Sequence, residues 1–242
     1  MATGPRLKID IAEKRFEGAA PALFEHLHLD IAPSSTVALI GPSGIGKSTL
    51  LRMIAGIDQR FSGTVLVDGI SATTAPTPGF VFQDPRLLPW LTAAENIRAA
   101  SVTATADDVA QALAWIGLEH VADLYPHQLS GGMQRRVALA RALVVNARLL
   151  LLDEPFVSLD RALVIEMHQL FARLIAKARP TVVFVSHLTD DAARLADRVI
   201  LIDHRPARIV ADIDLPTPQG ERNEAVLADY RKMLDAYFGR PQ

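Results

Sequence analysis

The sequence predicts an α/β fold with an antiparallel β edge and an inserted helical lobe. Three observations predict it. Short, almost wholly apolar runs at Thr36–Ile40, 149–152 and Thr181–Val185 have the composition of strands buried on both faces of a parallel sheet. A glycine-rich stretch, 41–49, joins the first of these runs to Leu50, Leu51, Met53, Ile54 and Ala55, so the order reads strand, loop, helix. From Leu91 to Asn146 the apolar spacing becomes helical, between two strand-bearing halves.

In chain order, RLKIDI at 6–11 alternates apolar and polar and predicts a strand. LHLDI at 27–31 predicts a second, and Thr36–Ile40 feeds the glycine-rich loop. The helix from Lys47 is expected to end near Gly56, since glycine suits the left-handed residue that closes a helix. Ser62 and Gly63 turn the chain into a strand at 64–67, closed by Asp68-Gly69. Residues 71–78, rich in Thr, Ala and Pro, read as a loop, and 79–82 as a short strand leading into Gln83. Helices are expected at 92–100, 106–116 and 133–145. Beyond the strand at 149–152 come a helix at 159–178, the strand Thr181–Val185, a helix at 190–196 and a strand at 199–202. Pro206, Pro216 and Pro218 predict a loose edge region. A terminal helix at 221–238 places Val226, Leu227, Tyr230, Met233, Leu234 and Tyr237 on one face, expected to pack on the core of its own subunit. The whole reads as one domain, with its core at 1–88 and 147–215, a helical lobe at 89–146 and a helical tail at 216–242.

Composition narrows the function. The 242 residues are 50% hydrophobic and 21% charged, ample for a packed core. A net charge of -2 gives no broad basic field for nucleic acid. With no cysteine, disulfides, thiolate catalysis and cysteine-held zinc are excluded. The first 14 residues carry Arg6, Lys8, Asp10 and Glu13 and read as no secretory signal. No stretch approaches the roughly 18 consecutive apolar residues of a membrane span.

The chemistry starts at Gly41, Pro42, Ser43, Gly44, Ile45, Gly46, Lys47, Ser48 and Thr49, which fit the phosphate-loop pattern G-x-x-x-x-G-K-[ST] position by position. Glycines let successive N–H groups curl inward around an anion, and the following helix adds the positive end of its dipole. Lys47 supplies a point charge for the outer phosphates of a nucleotide, and the Ser48 hydroxyl can ligate Mg²⁺. With these features the expected core resembles that of P-loop NTPases (RecA-like). Asp153 and Glu154 end an apolar strand, where a parallel sheet carries its ligands. Asp153 is placed to hold Mg²⁺, and Glu154 to polarise an attacking water. Leu129-Ser130-Gly131-Gly132-Met133-Gln134 opens a second helix, with Ser130 as cap and two glycines that expose N–H groups.

Taken together, these stretches resemble the nucleotide-binding subunit of ABC transporters over roughly residues 7–213. The family's LSGGQ signature appears with Met133 in place of its glutamine. The resemblance implies further roles. Gln83 matches the family's Q-loop glutamine, which reaches Mg²⁺ and the attacking water. Ser158-Leu159-Asp160 matches the loop that crosses the dimer seam, which brings Asp160 to the nucleotide. His187 matches the switch histidine at the γ-phosphate, with Leu188 where the family usually has aspartate. Phe16 is the nearest match to the aromatic that stacks on adenine. The implied catalytic set is Glu154, His187 and Gln83, with Ser48, Gln83 and Asp153 on the metal. The implied partners are a second copy, head to tail, so that Ser130, Gly131 and Gly132 of one protomer close on the ATP of the other, a membrane permease and, through it, a solute-binding protein. Residues 82–90 (FQDPRLLPW) and 205–209 (RPARI) are similar to stretches of the nitrate/sulfonate/taurine group of importers. Trp90 fits either a core or a docking place. An importer ATPase on the cytoplasmic face of the membrane is the leading expectation. An exporter ATPase, a soluble ATPase of the same family and an ATP-binding scaffold without turnover stay as alternatives.

Overall fold

A computed structural model describes residues 4–16, 18, 21–145, 147–157, 159 and 161–238. The elements are β1 (Leu7–Lys14), β2 (Phe24–Ile31), β3 (Thr36–Ile40), α1 (Lys47–Ile54), β4 (Ser62–Val67), β5 (Ile70–Ser71), β6 (Gly79–Val81), α2 (Ala93–Arg98), α3 (Ala106–Trp115), α4 (Gly131–Val144), β7 (Leu149–Asp153), α5 (Arg161–Ala178), β8 (Thr181–Val185), α6 (Thr189–Leu195), β9 (Arg198–Asp203), β10 (Arg208–Asp214) and α7 (Glu224–Phe238). Two sheets form among them. An antiparallel sheet runs β2-β1-β4-β5, and a six-stranded sheet runs β10-β9-β3-β8-β7-β6. In the larger sheet every pairing is parallel except β10 on β9.

The apolar runs are continuous because both faces of the central strands are covered. Val37, Leu39, Leu149, Leu151, Val183 and Val185 point into one core, shared with α1 and the antiparallel sheet. Their alternates Ala38, Ile40, Leu150, Leu152, Val182 and Phe184 point into a second core, shared with α2, α3, α4, α5 and α6. Strand side chains alternate by face, so a strand wedged between two layers has no solvent position left to be polar. Helix α1 therefore lies between the sheets, and the loop before it sits at the sheet's C-terminal edge.

Several element bounds differ from expectation. Strand β1 runs on to Lys14, a buried lysine whose Nζ donates to both Asp58 carboxylate oxygens at 2.6 and 2.7 Å and to the Arg60 carbonyl at 2.9 Å. A charged residue at an inward strand position hides the strand from pattern reading, and its pairing makes the burial tolerable. The region around Pro206 is not loose. It holds β10, antiparallel to β9, with Ile209, Ala211 and Ile213 alternating with Arg208, Asp212 and Asp214. Its prolines lie outside the strand, so they do not interrupt the ladder. The terminal helix starts at Glu224 rather than 221, because Asn223 accepts from the N–H groups of Ala225 and Val226, both at 3.1 Å, and caps it.

The tail packs on its own subunit. Leu227 and Leu234 are buried, with Leu234 in the core shared with the lobe. The Tyr230 hydroxyl donates to Thr217 Oγ1 at 2.8 Å and accepts from Thr217 N at 3.0 Å, and Arg231 pairs with Asp190 of α6 at 2.9 Å. Truncating a fully buried leucine costs its transfer energy plus a cavity, so Leu234→Ala is expected to lose about 3 kcal/mol of stability. Urea denaturation checks this, and a loss under about 1 kcal/mol would mean that the tail does not hold the fold. Among the described residues, no helix is long and apolar enough to cross a membrane.

Candidate active site

The loop between β3 and α1 needs its glycines for space. A Cβ on Gly41 would stand 2.1 Å from the Ile202 carbonyl oxygen of β9. One on Gly46 would stand 2.8 Å from the Phe24 ring, and Gly46 also has a φ of 108°. Ile45 is buried in the core beside α1 and pins the loop, while Pro42, Ser43 and Gly44 are exposed on its lip. Lys47 turns back under this lip. Its buried ammonium donates to the carbonyls of Gly41 at 2.7 Å and Pro42 at 2.8 Å. Burial lowers its pKa, opposed by the charges of Glu154 and Asp153. An ammonium held out of water against neutral carbonyls, beneath the exposed lip of a loop that leads into a helix N-terminus, is suited to an anion such as a phosphate.

Next to it, the Ser48 hydroxyl donates to Asp153 Oδ1 at 2.8 Å. Asp153 closes β7 and is buried. A hydroxyl and one carboxylate are hard oxygen donors that suit Mg²⁺, which takes one or two carboxylates and fills its shell with phosphate oxygens and water. Among the described residues, no group of three or more His, Asp or Glu is arranged to hold a metal ion.

Three further residues meet at the ends of adjacent strands β6, β7 and β8. Gln83 Nε2 donates to Glu154 Oε2 at 3.2 Å, and His187 Nδ1 lies 3.9 Å from the same oxygen. Glu154 adopts a left-handed φ of 49°, uncommon for a residue with a side chain, and its N–H is tied to the Val185 carbonyl at 3.1 Å. That conformation ends the strand abruptly and turns the carboxylate toward Gln83 and His187. The carboxylate is partly shielded and the imidazole half-exposed, so the group opens to solvent on one side.

The glycine-rich start of α4 is built differently. Ser130 caps the helix, its Oγ accepting from Met133 N at 3.3 Å. Gln134 donates to the carbonyls of Pro126 at 2.9 Å and Leu129 at 3.2 Å and so holds the approach to the helix in place. Ser130 and Gly131 are exposed, and a Cβ on Gly132 would meet Leu163 of α5 at 2.4 Å. Their hydrogen bonds stay within the lobe, so within one chain they do not complete the site at Lys47. Phe16 is exposed, with Lys14 Nζ 5.0 Å from its ring centre. Thr49 lies half-buried in the first turn of α1. Ser158 and Asp160 lie outside the described residues.

One contact at the loop has no signature in the sequence, and the structure decides between the two places open to Trp90. Arg205 Nη2 donates to the Gly44 carbonyl at 2.9 Å, from a segment 161 residues away in the chain. Only the pairing of β9 with β3 brings it there, and no spacing in the sequence signals it. Trp90 is 69% exposed, which removes the core reading. The loop that carries it is held from below. Arg141 donates to the carbonyls of Pro85 and Arg86, both at 2.8 Å, and buried Asn96 bonds Leu88, Leu91 and Thr92. A cavity of about 390 Å³ lined by Trp115, Leu143, Leu170 and Lys177 lies between lobe and α5 and includes none of the loop residues 41–49.

Known proteins of similar sequence and fold identify the family. The family model for ABC transporters matches residues 24–157. The aliphatic sulfonates import ATP-binding protein SsuB 2 of Rhizobium johnstonii is 41% identical over 224 residues, covering 91% of this chain and 87% of that protein. The SsuB 1 protein of Xanthomonas axonopodis pv. citri is 40% identical over 239 residues, covering 94% of each. Among solved structures, a dimeric ATP-binding cassette in a post-hydrolysis state, bound to ADP and Pi, superposes with a TM-score of 0.77 at 29% identity, covering 87% of this chain and 99% of that one.

Proposed function

Because this chain belongs to the ABC transporter family and is an ATP-binding, ATP-hydrolysing transport subunit, we propose that it energises import of an aliphatic sulfonate through a membrane permease. The single observation that carries the substrate class is the high identity, over nearly the whole chain, to sulfonate import ATPases. The site supports the energy source. Lys47 and the loop N–H groups bind the phosphates, and Ser48 with Asp153 would hold Mg²⁺, which would offset phosphate charge. Glu154 takes the proton as the oxygen of water bonds to the γ-phosphorus and the bond to ADP breaks. Gln83 orients that water, and His187 donates to a γ-phosphate oxygen.

Two copies face each other head to tail. The exposed Ser130 and Gly131 at the start of α4 favour this assembly, since the Ser130 hydroxyl, whose oxygen caps Met133 N, still has its O–H to donate to a phosphate held by the partner, at the positive end of the helix. Phe16 stacks on the adenine. The braced loop at 84–91, with Trp90 outward, docks on the permease at the cytoplasmic face of the membrane, adjacent to Gln83, so that closure around ATP is felt there. The solute-binding protein acts from the far side, through the permease. In a strain deleted for this chain, uptake of a labelled short alkanesulfonate is expected to fall to background and to return with the wild-type gene. Undiminished uptake in the deletion strain would overturn the substrate class.

A further inference from the structure

The residue before the switch histidine is tied to a buried polar pair that the mechanism above does not use. Ser186 is buried, and its Oγ donates to Asp191 Oδ2 at 2.5 Å while accepting from Leu188 N at 3.0 Å. The other Asp191 oxygen lies 2.9 Å from Nε2 of His168, which rises from α5. Both His168 and Asp191 are buried. The His168 ring meets Phe156 edge-on with centroids 4.5 Å apart, and Phe156 is two residues past Glu154. Phe156 in turn packs edge-on against Phe171 of the same helix as His168, at 5.6 Å. These contacts form a closed circuit. From Glu154 it passes through Phe156, His168, Asp191 and Ser186 to His187, whose imidazole returns to Glu154 at 3.9 Å.

Local sequence cannot hold the loop by itself. Helix α6 has Leu188 at its N-cap, which offers no side-chain acceptor to the first turn, and the N–H of Leu188 itself is taken by Ser186 Oγ. A buried carboxylate is retained only where its oxygens are satisfied, and here one oxygen goes to α5 and the other to the loop. Movement of α5 relative to the loop would break one of these bonds in an apolar setting, which makes the arrangement stiff.

We propose that the buried His168–Asp191 pair is a positioning device that holds His187 at a set distance from Glu154. The proposal rests on the roles given above to those two residues. His168 and Asp191 touch neither nucleotide nor water in this scheme. They act through Ser186 on one side and Phe156 on the other.

The test is steady-state ATP hydrolysis by the full chain with Mg²⁺, with thermal unfolding followed in parallel. His168→Leu and Ser186→Ala are each expected to lower kcat at least tenfold while KM for ATP changes less than twofold. His168→Gln keeps an N–H donor near the Nε2 position and is expected to stay within threefold of wild type. In a His187→Ala background, Ser186→Ala is expected to cost less than twofold, because its effect runs through His187. Should His168→Leu fail to fold, Ser186→Ala, which leaves the buried pair intact, decides the question. A wild-type rate for Ser186→Ala beside a slow His187→Ala would overturn the positioning role alone, as would an equal loss in both backgrounds or a loss confined to KM. A wild-type rate for His187→Ala would overturn the reading of His187 and the proposal with it.

Discussion

Glu154→Gln is expected to lower ATP hydrolysis by about 10²- to 10⁴-fold, the range of a positioned general base. The amide keeps the size of the carboxylate, and Gln83 can still donate to its oxygen as it does at 3.2 Å in the native site. The backbone should keep its conformation, since the N–H of residue 154 is tied to Val185 and not to its own side chain. What is lost is the ability to take a proton. Binding depends on Lys47 and Ser48 and is expected to persist. ATP should therefore remain uncleaved between two protomers, and a dimer should accumulate with ATP and be absent without it. Phosphate release and size-exclusion chromatography measure the two halves of this expectation. A hydrolysis rate within tenfold of wild type would remove Glu154 from the base role and leave His187 as the next candidate.

Lys47→Ala acts earlier in the cycle. The buried ammonium is the cation seated inside the loop, and its removal leaves the Gly41 and Pro42 carbonyls facing the phosphate position without a compensating charge. Loss of a charge-assisted contact in a shielded site costs about 1.5–3 kcal/mol, which is about 10- to 150-fold in affinity. Turnover is expected to fall to background, since the γ-phosphate also loses its neutralising partner. Titration with a fluorescent ATP analogue and the hydrolysis assay check both statements. Near-normal turnover would sink the assignment of this loop. The two variants are also expected to separate in kind. Glu154→Gln binds without cleaving and dimerises with ATP, whereas Lys47→Ala is expected to bind ATP weakly and not to accumulate the dimer.

The loop at 41–49, the acids at 153 and 154 and the capped helix at 130 were legible as strings because their chemistry is local. A phosphate nest needs glycines and a lysine at fixed spacing within one turn of chain, and a strand end needs only an apolar run closed by acids. The buried strands were legible for a related reason. A strand covered on both faces has no polar position, so its burial is written in its own composition. Tyr230 and Leu234 could likewise be placed on one face from helical spacing alone.

What lay beyond the sequence is what depends on strand order. Gln83, Glu154 and His187 are separated along the chain, and the side-by-side pairing of β6, β7 and β8 decides that one carboxylate oxygen lies near both other side chains. The same pairing logic brings Arg205 to Gly44 across β9 and β3. The packing of α2 and α4 on the loop decides that Trp90 faces solvent, since Arg141 and Asn96 brace that loop from the inside. The left-handed turn at Glu154, the buried Lys14 with its half-buried partner Asp58, and the buried His168 and Asp191 belong to this class too. Each is unfavourable as a local choice and is tolerated only where a distant segment supplies the hydrogen bond that local chemistry lacks, so nothing in the neighbouring residues announces it.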